Sequence, residues 1–562
     1  MGKTGRERAV PAASDTALLR PLRVLLALSV LAVGLYYEWG CALSSVLLFG
    51  LLLWYGKRKP IRFPRNLTAL AVAVTVAAYG VSALWAVDGG LALWGLVKLL
   101  PAALFMLACY QLQPDQRRVL LGDLPYLGAV TTVLSFALQW VPAFSDAFSI
   151  AGRLGGFFQY PNTFACFLLL GLAVLVFKRS DSRWDILCCA VLSAGLLLAR
   201  SRTVLVFAVI LFAAALILRR EKRARLLVGT AVLSGAVIVG LALLLRKGDA
   251  AAAISTTTLL GRLVYWKDAL GVILRHPFGV GHLGYYLTQG SFQTAVYSVR
   301  WVHNALLQVA LDVGWIPAGL LCAAVLRAIV SRKTGAVERA ALLVLAAHSL
   351  MDFDLSFTAM WFVLLLCLDW DGRFITLKKG GKRALTVFGG VLCALSVWIG
   401  AATAFSYAGN ADAALKLYPW DTFSAAAQLT EIESAPEMEA AADKILSRDT
   451  ALAIAWDAKA RSAFSGGDVA VMMEAKRNAI SCARYSLEEY TDYFEMLAAA
   501  ASLYQQAGDD YSVQQCLNEI RSLQTMLDAL ADETDPLAWR FPEQPELTMP
   551  QEYQDYVEAA GL

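Results

Sequence analysis

Three arginines and one histidine stand where chemistry at a membrane surface would need them. Arg153 opens the run Arg153-Leu-Gly-Gly-Phe-Phe-Gln-Tyr-Pro161-Asn162, Arg202 lies in Ser201-Arg202-Thr203, Arg262 follows Gly261, and His303-Asn304 ends a long segment rich in aromatics. Each is placed at the edge of an apolar run. A guanidinium is planar and permanently charged, and it grips phosphate through two parallel hydrogen bonds. Several around one hollow at headgroup level suit a pyrophosphate carried on a lipid. An imidazole titrates near neutrality, so His303 suits taking a hydroxyl proton or holding that hydroxyl in place. A single arginine of this kind would more simply cap a helix or pair with a lipid headgroup; three in such loops favour a site. His276, before Pro277, reads as structural, and Asn162 after Pro161 as a helix cap. Trp266, Tyr285, Tyr286, Tyr297 and Trp301 either stack on sugar faces or form an interfacial aromatic belt.

Other chemistries lack their motifs. The sequence has no P-loop, no GxGxxG after a strand, no HExxH and no GxSxG. Its four histidines are His276, His282, His303 and His348. Nucleotide-driven pumping and metal-assisted hydrolysis are unsupported, and neither a cofactor nor a metal is expected. Ionisable residues inside apolar runs are few, chiefly Lys98, Asp312 and His348; Lys98 reads as snorkelling or paired with a carboxylate. Eight of ten cysteines, Cys41 to Cys393, fall inside apolar runs, where cysteine behaves as a small hydrophobe. Cys482 and Cys516 are either free thiols or a disulfide.

The elements that must carry these residues are membrane helices. Of 562 residues 58% are hydrophobic and only 17% charged, against about 25% charged in an ordinary soluble domain. Residues 1–408 carry 39 Lys/Arg and 18 Asp/Glu, while residues 409–562 carry 10 and 27. The basic residues fall in short clusters between apolar runs, the pattern of membrane topology rather than of a nucleic-acid face. A span needs about 20 apolar residues. Thirteen runs are candidates, several of them short, notably 41–55 and 356–371: 22–38, 41–55, 66–86, 91–110, 119–141, 161–177, 184–200, 203–218, 224–245, 303–330, 338–353, 356–371 and 384–405. The first follows Lys3, Arg6, Arg8, Arg20 and Arg23 without a cleavage site, so it reads as an uncleaved helix. With the N-terminus inside, Lys57-Arg58-Lys59 with Arg62, Arg117-Arg118, Lys178-Arg179, Arg219-Arg220 with Lys222-Arg223, Arg332-Lys333 and Lys378-Lys379 all fall on the cytoplasmic side. The opposite side collects 142–160, Arg202, 246–302, Asp352–Ser356 and the acidic tail. Gly261–Arg275 reads as a helix at the interface.

The tail is rich in Ala, Leu, Glu and Gln. Ala455–Arg484 and Tyr493–Leu527 resemble each other: an aromatic-bearing helix, a Gly-Asp turn (Gly467-Asp468, Gly508-Asp509), then an amphipathic helix. That is a tetratricopeptide-like repeat, or else a plain helical bundle. The expected fold is therefore all-α: a polytopic bundle of about 12–13 membrane helices with a soluble helical-repeat domain. Its parts are a cytoplasmic tail 1–21, a membrane domain 22–405 with an extracytoplasmic loop 246–302, an extracytoplasmic helical domain 406–535, and an extended tail 536–562.

The blocks Ser82-Ala-Leu-Trp85-Ala-Val-Asp88, Gly152-Arg153 with Pro161-Asn162-Thr-Phe-Ala165, Ser201-Arg202-Thr203, Gly261-Arg262 with Trp266, His276-Pro277, Gly279-Val-Gly281 and Trp301-Val-His303-Asn304, and His348 to Asp354 occur in this order over residues 80–371. In order, spacing and sidedness they resemble the O-antigen ligase and O-antigen polymerase family of bacterial envelope glycosyltransferases. The thirteenth run and the repeat-like tail depart from a ligase proper. The resemblance implies extracytoplasmic transfer of a saccharide from an undecaprenyl-pyrophosphate-linked donor to an acceptor hydroxyl on a glycan, lipid or protein. His303, Arg262 and Arg202 would be catalytic; Arg153, Asn162, Trp266 and Asn304 would bind substrate. Membrane lipids and an envelope-assembly protein docked on the tail are the other expected partners; nucleic acid is not. A flippase for lipid-linked saccharides would show an inverted repeat and a polar midplane cavity, and no repeat is evident. A non-catalytic scaffold presenting the tail is the third reading.

Overall fold

A computed structural model of the chain describes residues 16–178, 182–219, 221–245, 257–368, 373–377, 379–541 and 543–560. Lys3, Arg6, Arg8, Arg179, Arg220, Lys378, Pro542 and positions 246–256 of the long loop lie outside the described residues. The fold is an all-α polytopic bundle. Two compact units divide the chain: one built from Met1–Val76, Val97–Ala250 and Gly319–Gly400, the other from Ala77–Leu96, Ala251–Ala318 and Ala401–Leu562.

The first unit is organised around the helix Pro161–Phe177, buried at every position except Asn162. A helix apolar on all sides belongs in the middle of a bundle. Around it pack Leu124–Leu138, Trp184–Ala199, Arg202–Leu218 and Ala336–Ser349. The helix Arg202–Leu218 turns Val206, Val209, Ile210 and Ile217 outward, each more than half exposed, an apolar face matched to lipid rather than water. At one end of the bundle the basic loops meet. Arg62–Arg65 pairs antiparallel with Arg373–Thr376, Arg118 bridges to Glu338 at 3.0 Å, and Asp185 joins Lys178 to Arg223. At the other end Arg153 donates to the carbonyl of Ala199 at 3.0 Å and Asn162 to Asp352 at 2.9 Å. The two sets are those that charge alternation separates. Inside, Lys98 pairs with Glu38 at 3.7 Å and lies over the Tyr36 ring, so its charge is compensated within the bundle.

Helix lengths correct the run-by-run expectation. Among the described residues four helices are long and apolar enough to cross a membrane: Glu38–Arg58, Gly89–Cys109, Pro114–Leu138 and Gly380–Tyr407. The run 22–38 gives a helix only over Leu19–Leu31, followed by a 3-10 turn in which Gly34 adopts φ 63°. The run 303–330 is two helices, Ala305–Val313 and Trp315–Val330, parted at Gly314 with φ 89°. The run 356–371 yields Thr358–Cys367, ten residues or about 15 Å of helix, half a bilayer core. Its entry turn, Asp354–Ser356, is sunk in the bundle, with Asp354 bonded to Thr163, His348 and Ser349.

The second unit packs Thr257–Arg275, Gly284–Phe292 and Ala305–Val313 with the C-terminal helices. The Gly-Asp turns act as read: Gly467 and Gly508 take φ of 80° and 74°, and Asp468 and Asp509 each cap the next helix through the N–H three residues on. Ala453–Ser465 and Val469–Cys482 form one helical hairpin, Leu487–Ala507 and Asp510–Glu533 another. The hairpins sit directly on the long loop: Arg484 N–H donates to Gly290 at 3.1 Å and Asp535 N–H to Thr294 at 2.8 Å. Cys482 and Cys516 are free thiols. The segment expected to be extended contains the helix Gln551–Ala559. Pro550 precedes it, and Tyr553 is buried with its hydroxyl on the carbonyl of Ile520 at 2.8 Å, so burial rather than proline content decides that stretch.

Candidate active site

The second unit builds a turn around His303. The helix Thr257–Arg275 brings Arg262, Trp266 and Asp268 to the segment 294–304. Asp268 accepts from the Thr294 N–H and hydroxyl, both at 2.9 Å, and from the Tyr297 hydroxyl at 2.8 Å. Val302 is held on both sides: its N–H by Gln308 at 2.9 Å and its carbonyl by the Trp266 indole at 2.8 Å. Gln308 is in turn fixed by Asp312 at 2.8 Å, which also accepts from Tyr79 at 2.8 Å and contacts His282 Nδ1 at 3.2 Å. Next comes His303 at φ 50°, a left-handed conformation that a non-glycine residue keeps only when its surroundings enforce it. Asn304 then caps Ala305–Val313, accepting from the N–H groups of Leu306 and Leu307 at 3.1 Å each.

The product of this bracing is a pair. Arg262 Nη2 lies 3.4 Å from His303 Nδ1, and Arg262 is only 7% exposed. A guanidinium donates and never accepts, so in this contact Nδ1 is the acceptor, which is the tautomer with its hydrogen on Nε2. The Tyr265 ring stands 5.9 Å from the imidazole. His276 is exposed and in a loop. Of the loop aromatics, Tyr285 and Trp301 are buried at 1% and 4% exposure, and Tyr297 is bonded to Asp268. These three are packing and bracing groups, not an interfacial belt.

The first unit assembles a second grouping. Asn162 does not cap its helix; Tyr160 occupies the cap position and Pro161 the first turn. The Asn162 carboxamide instead accepts from Arg153 at 2.6 Å and donates to Asp352 at 2.9 Å and to the Tyr160 hydroxyl at 3.1 Å. Tyr160 also donates to Asp352 at 3.0 Å. Burial weakens the protonated form of Arg153; Tyr160 and Asp352 counter that, and the Arg202 and Arg200 guanidiniums nearby add to it. Arg202 heads its own helix in an exposed position. The grouping is an arginine cluster with one carboxylate holding it in register.

The residues that sequence reasoning missed are the braces: Tyr160, Asp268, Gln308 and the Tyr79–His282 pair on Asp312. Their partners are up to 233 positions away, and only the motif His348 to Asp354 pointed to one, Asp352. Among the described residues one trio of ligand-type atoms, from Cys166, His348 and Asp354, falls within 4.8 Å. Both Asp354 oxygens are already used by Thr163, Ser349 and His348, so the trio ties the sunken turn.

Fold and site together define a multi-pass membrane protein whose loops hold arginines and a histidine in braced positions. The family described as O-antigen ligase matches residues 187–323, the stretch that contains Arg202, Arg262, Trp266, His303 and Asn304. That match is to the family over this stretch of the chain, and it supports a glycosyl-transfer-related membrane function. No curated protein matches it.

Proposed function

We propose that the protein transfers a saccharide from an undecaprenyl-pyrophosphate-linked donor to an acceptor hydroxyl outside the cytoplasm, as a polymerase or ligase of envelope glycans. The observation that carries this is the Arg262–His303 pair, 3.4 Å apart on a strained and multiply braced turn inside the family segment. In the reaction the acceptor oxygen bonds to the anomeric carbon while the bond from that carbon to the pyrophosphate breaks. The electron pair leaves on the phosphate, and the acceptor proton is released. Arg262 supplies positive charge where negative charge grows on the leaving group, and the motifs assign Arg202 and Arg153 the same kind of role. A pyrophosphate leaves readily, so acid assistance is not required. With Arg262 donating to Nδ1, His303 donates from Nε2 and positions the acceptor or the phosphate. When Arg262 turns to the phosphate, Nδ1 is released to accept the hydroxyl proton.

The test is glycan made in cells carrying Arg262→Ala, Arg202→Ala or His303→Ala, with membrane levels of each variant checked. Loss of polymer with lipid-linked saccharide accumulating on the outer leaflet supports transfer. Accumulation on the inner leaflet would indicate flipping instead, and normal polymer in all three variants would indicate a scaffold.

A further inference from the structure

Beyond the arginines and His303, the second unit contains a pocket that no step above uses. It has a volume of about 270 Å³ and is lined by Trp94, Arg300, Ser406, Tyr407, Phe423 and Ser424, among others. That is at the small end of ligand pockets, which run from about 300 to 1,000 Å³. Its walls are aromatic. Trp94 stands 5.9 Å from Phe423 and 6.5 Å from Tyr407, both tilted. The Arg300 guanidinium lies 5.7 Å from the Phe423 ring centre and donates to the Tyr407 hydroxyl at 3.3 Å. Ser424 donates to Ser406 at 2.9 Å.

We propose that this pocket binds a pyranose ring of the glycan handled at the His303 turn, a saccharide subsite that rests on the transfer reading. Flat electron-rich faces set at angles match the C–H faces of a pyranose, whose hydrogens carry partial positive charge, as aromatic edges do. Two hydroxyls and a guanidinium on the same wall match its ring hydroxyls. Trp94 is 1% exposed and its indole nitrogen has no hydrogen-bond partner among the described residues, a buried orphan donor in the pocket wall. The connection to the turn is covalent. Arg300 is three residues before His303, within about 10 Å of chain, so a short saccharide bound at the turn reaches the pocket. Ser406 and Tyr407 end the last long apolar helix, Lys379–Tyr407, and Trp94 is in the second turn of Gly89–Cys109. The pocket therefore belongs at the membrane boundary, where a lipid-anchored glycan begins.

The test is saturation-transfer NMR on the full chain, purified in a sugar-free detergent, with maltotriose and with tri-galacturonic acid as probes. Transfer to the ring protons of either probe is expected, and a stronger response to the acid would identify a carboxylate-bearing sugar. Phe423→Leu and Tyr407→Leu keep apolar bulk but remove the flat faces; each should weaken binding about tenfold. No transfer to either trisaccharide, or transfer that both leucine variants retain in full, overturns the proposal. Binding that both leucine variants weaken, while cells carrying Arg262→Ala, Arg202→Ala and His303→Ala all make normal glycan, would leave the pocket standing and remove the transfer reading.

Discussion

At the scale of single residues, the candidate site is set by one contact, a cation beside an imidazole. Arg262 can only donate, so its contact with His303 Nδ1 selects the tautomer with hydrogen on Nε2. Substituting Arg262 by lysine keeps the charge but removes the planar fork. Arg262→Lys should therefore lose about 100-fold in transfer rate, measured by polymer yield from lipid-linked donor at equal protein level; near-parental activity would show that charge alone suffices. A second residue makes the tail sensitive to pH. Asp449 is 1% exposed, its Oδ2 has no hydrogen-bond partner among the described residues, and burial, reinforced by Asp88, raises its carboxyl to about 7, against a hydrogen bond from Ala451 that lowers it. The folded state thus holds a proton that the unfolded state releases near pH 4. Its stabilisation is fully present below that value and is lost as pH rises to about 7. Asp449→Asn should flatten the fall in thermal midpoint between pH 5 and pH 8 and raise the midpoint at pH 8. An unchanged profile would place the titrating group elsewhere.

At the scale of elements, the sequence revealed what is local and concealed what is folded back. The Gly-Asp turns were legible because glycine tolerates positive φ and the next aspartate caps within three residues. The Arg262 and His303 segments were legible as motifs. Asn162 was misread because its neighbour Pro161 suggested a cap, while its actual partner, Asp352, is 190 positions away. Hydropathy hid the break in 303–330, since Gly314 is as apolar as its neighbours and only its φ of 89° parts the helices. That break is also packed: a Cβ on Gly314 would come within 2.3 Å of the Pro277 carbonyl oxygen. Trp315 N–H donates to that same carbonyl at 3.1 Å, and Val280 N–H to Leu311 at 2.7 Å. Gly314→Ala should destabilise the second unit by about 2–3 kcal/mol through strain and displacement of this loop, seen as a lower thermal midpoint in detergent. Gln308→Leu is milder. It frees the Val302 N–H and loosens the His303 turn, and should cost about tenfold in transfer while the protein level holds.

At the scale of the whole chain, sidedness must be argued without a full set of long helices. In the first unit Ala336–Ser349 starts beside the basic end, where Glu338 meets Arg118, and runs to Asp352 at the other end. The return helix Thr358–Cys367 has only ten residues, yet the chain still comes back to the basic end, because Arg373–Thr376 pairs with Arg62–Arg65 there. The sunken turn at Asp354 supplies the missing depth, so the alternation survives a helix too short to span. Lys379–Tyr407 then leaves the basic end with 29 residues, about 44 Å and ample for a bilayer core. If basic loops face the cytoplasm, everything after Tyr407, which carries 27 acidic residues against 10 basic ones, emerges on the opposite side. Alkaline phosphatase fused after Leu562 should then be active and a green fluorescent reporter at the same point dark, with the reverse for fusions after Arg332. Fluorescence from the C-terminal fusion would reverse the orientation and put the His303 turn on the side where nucleotide sugars are made.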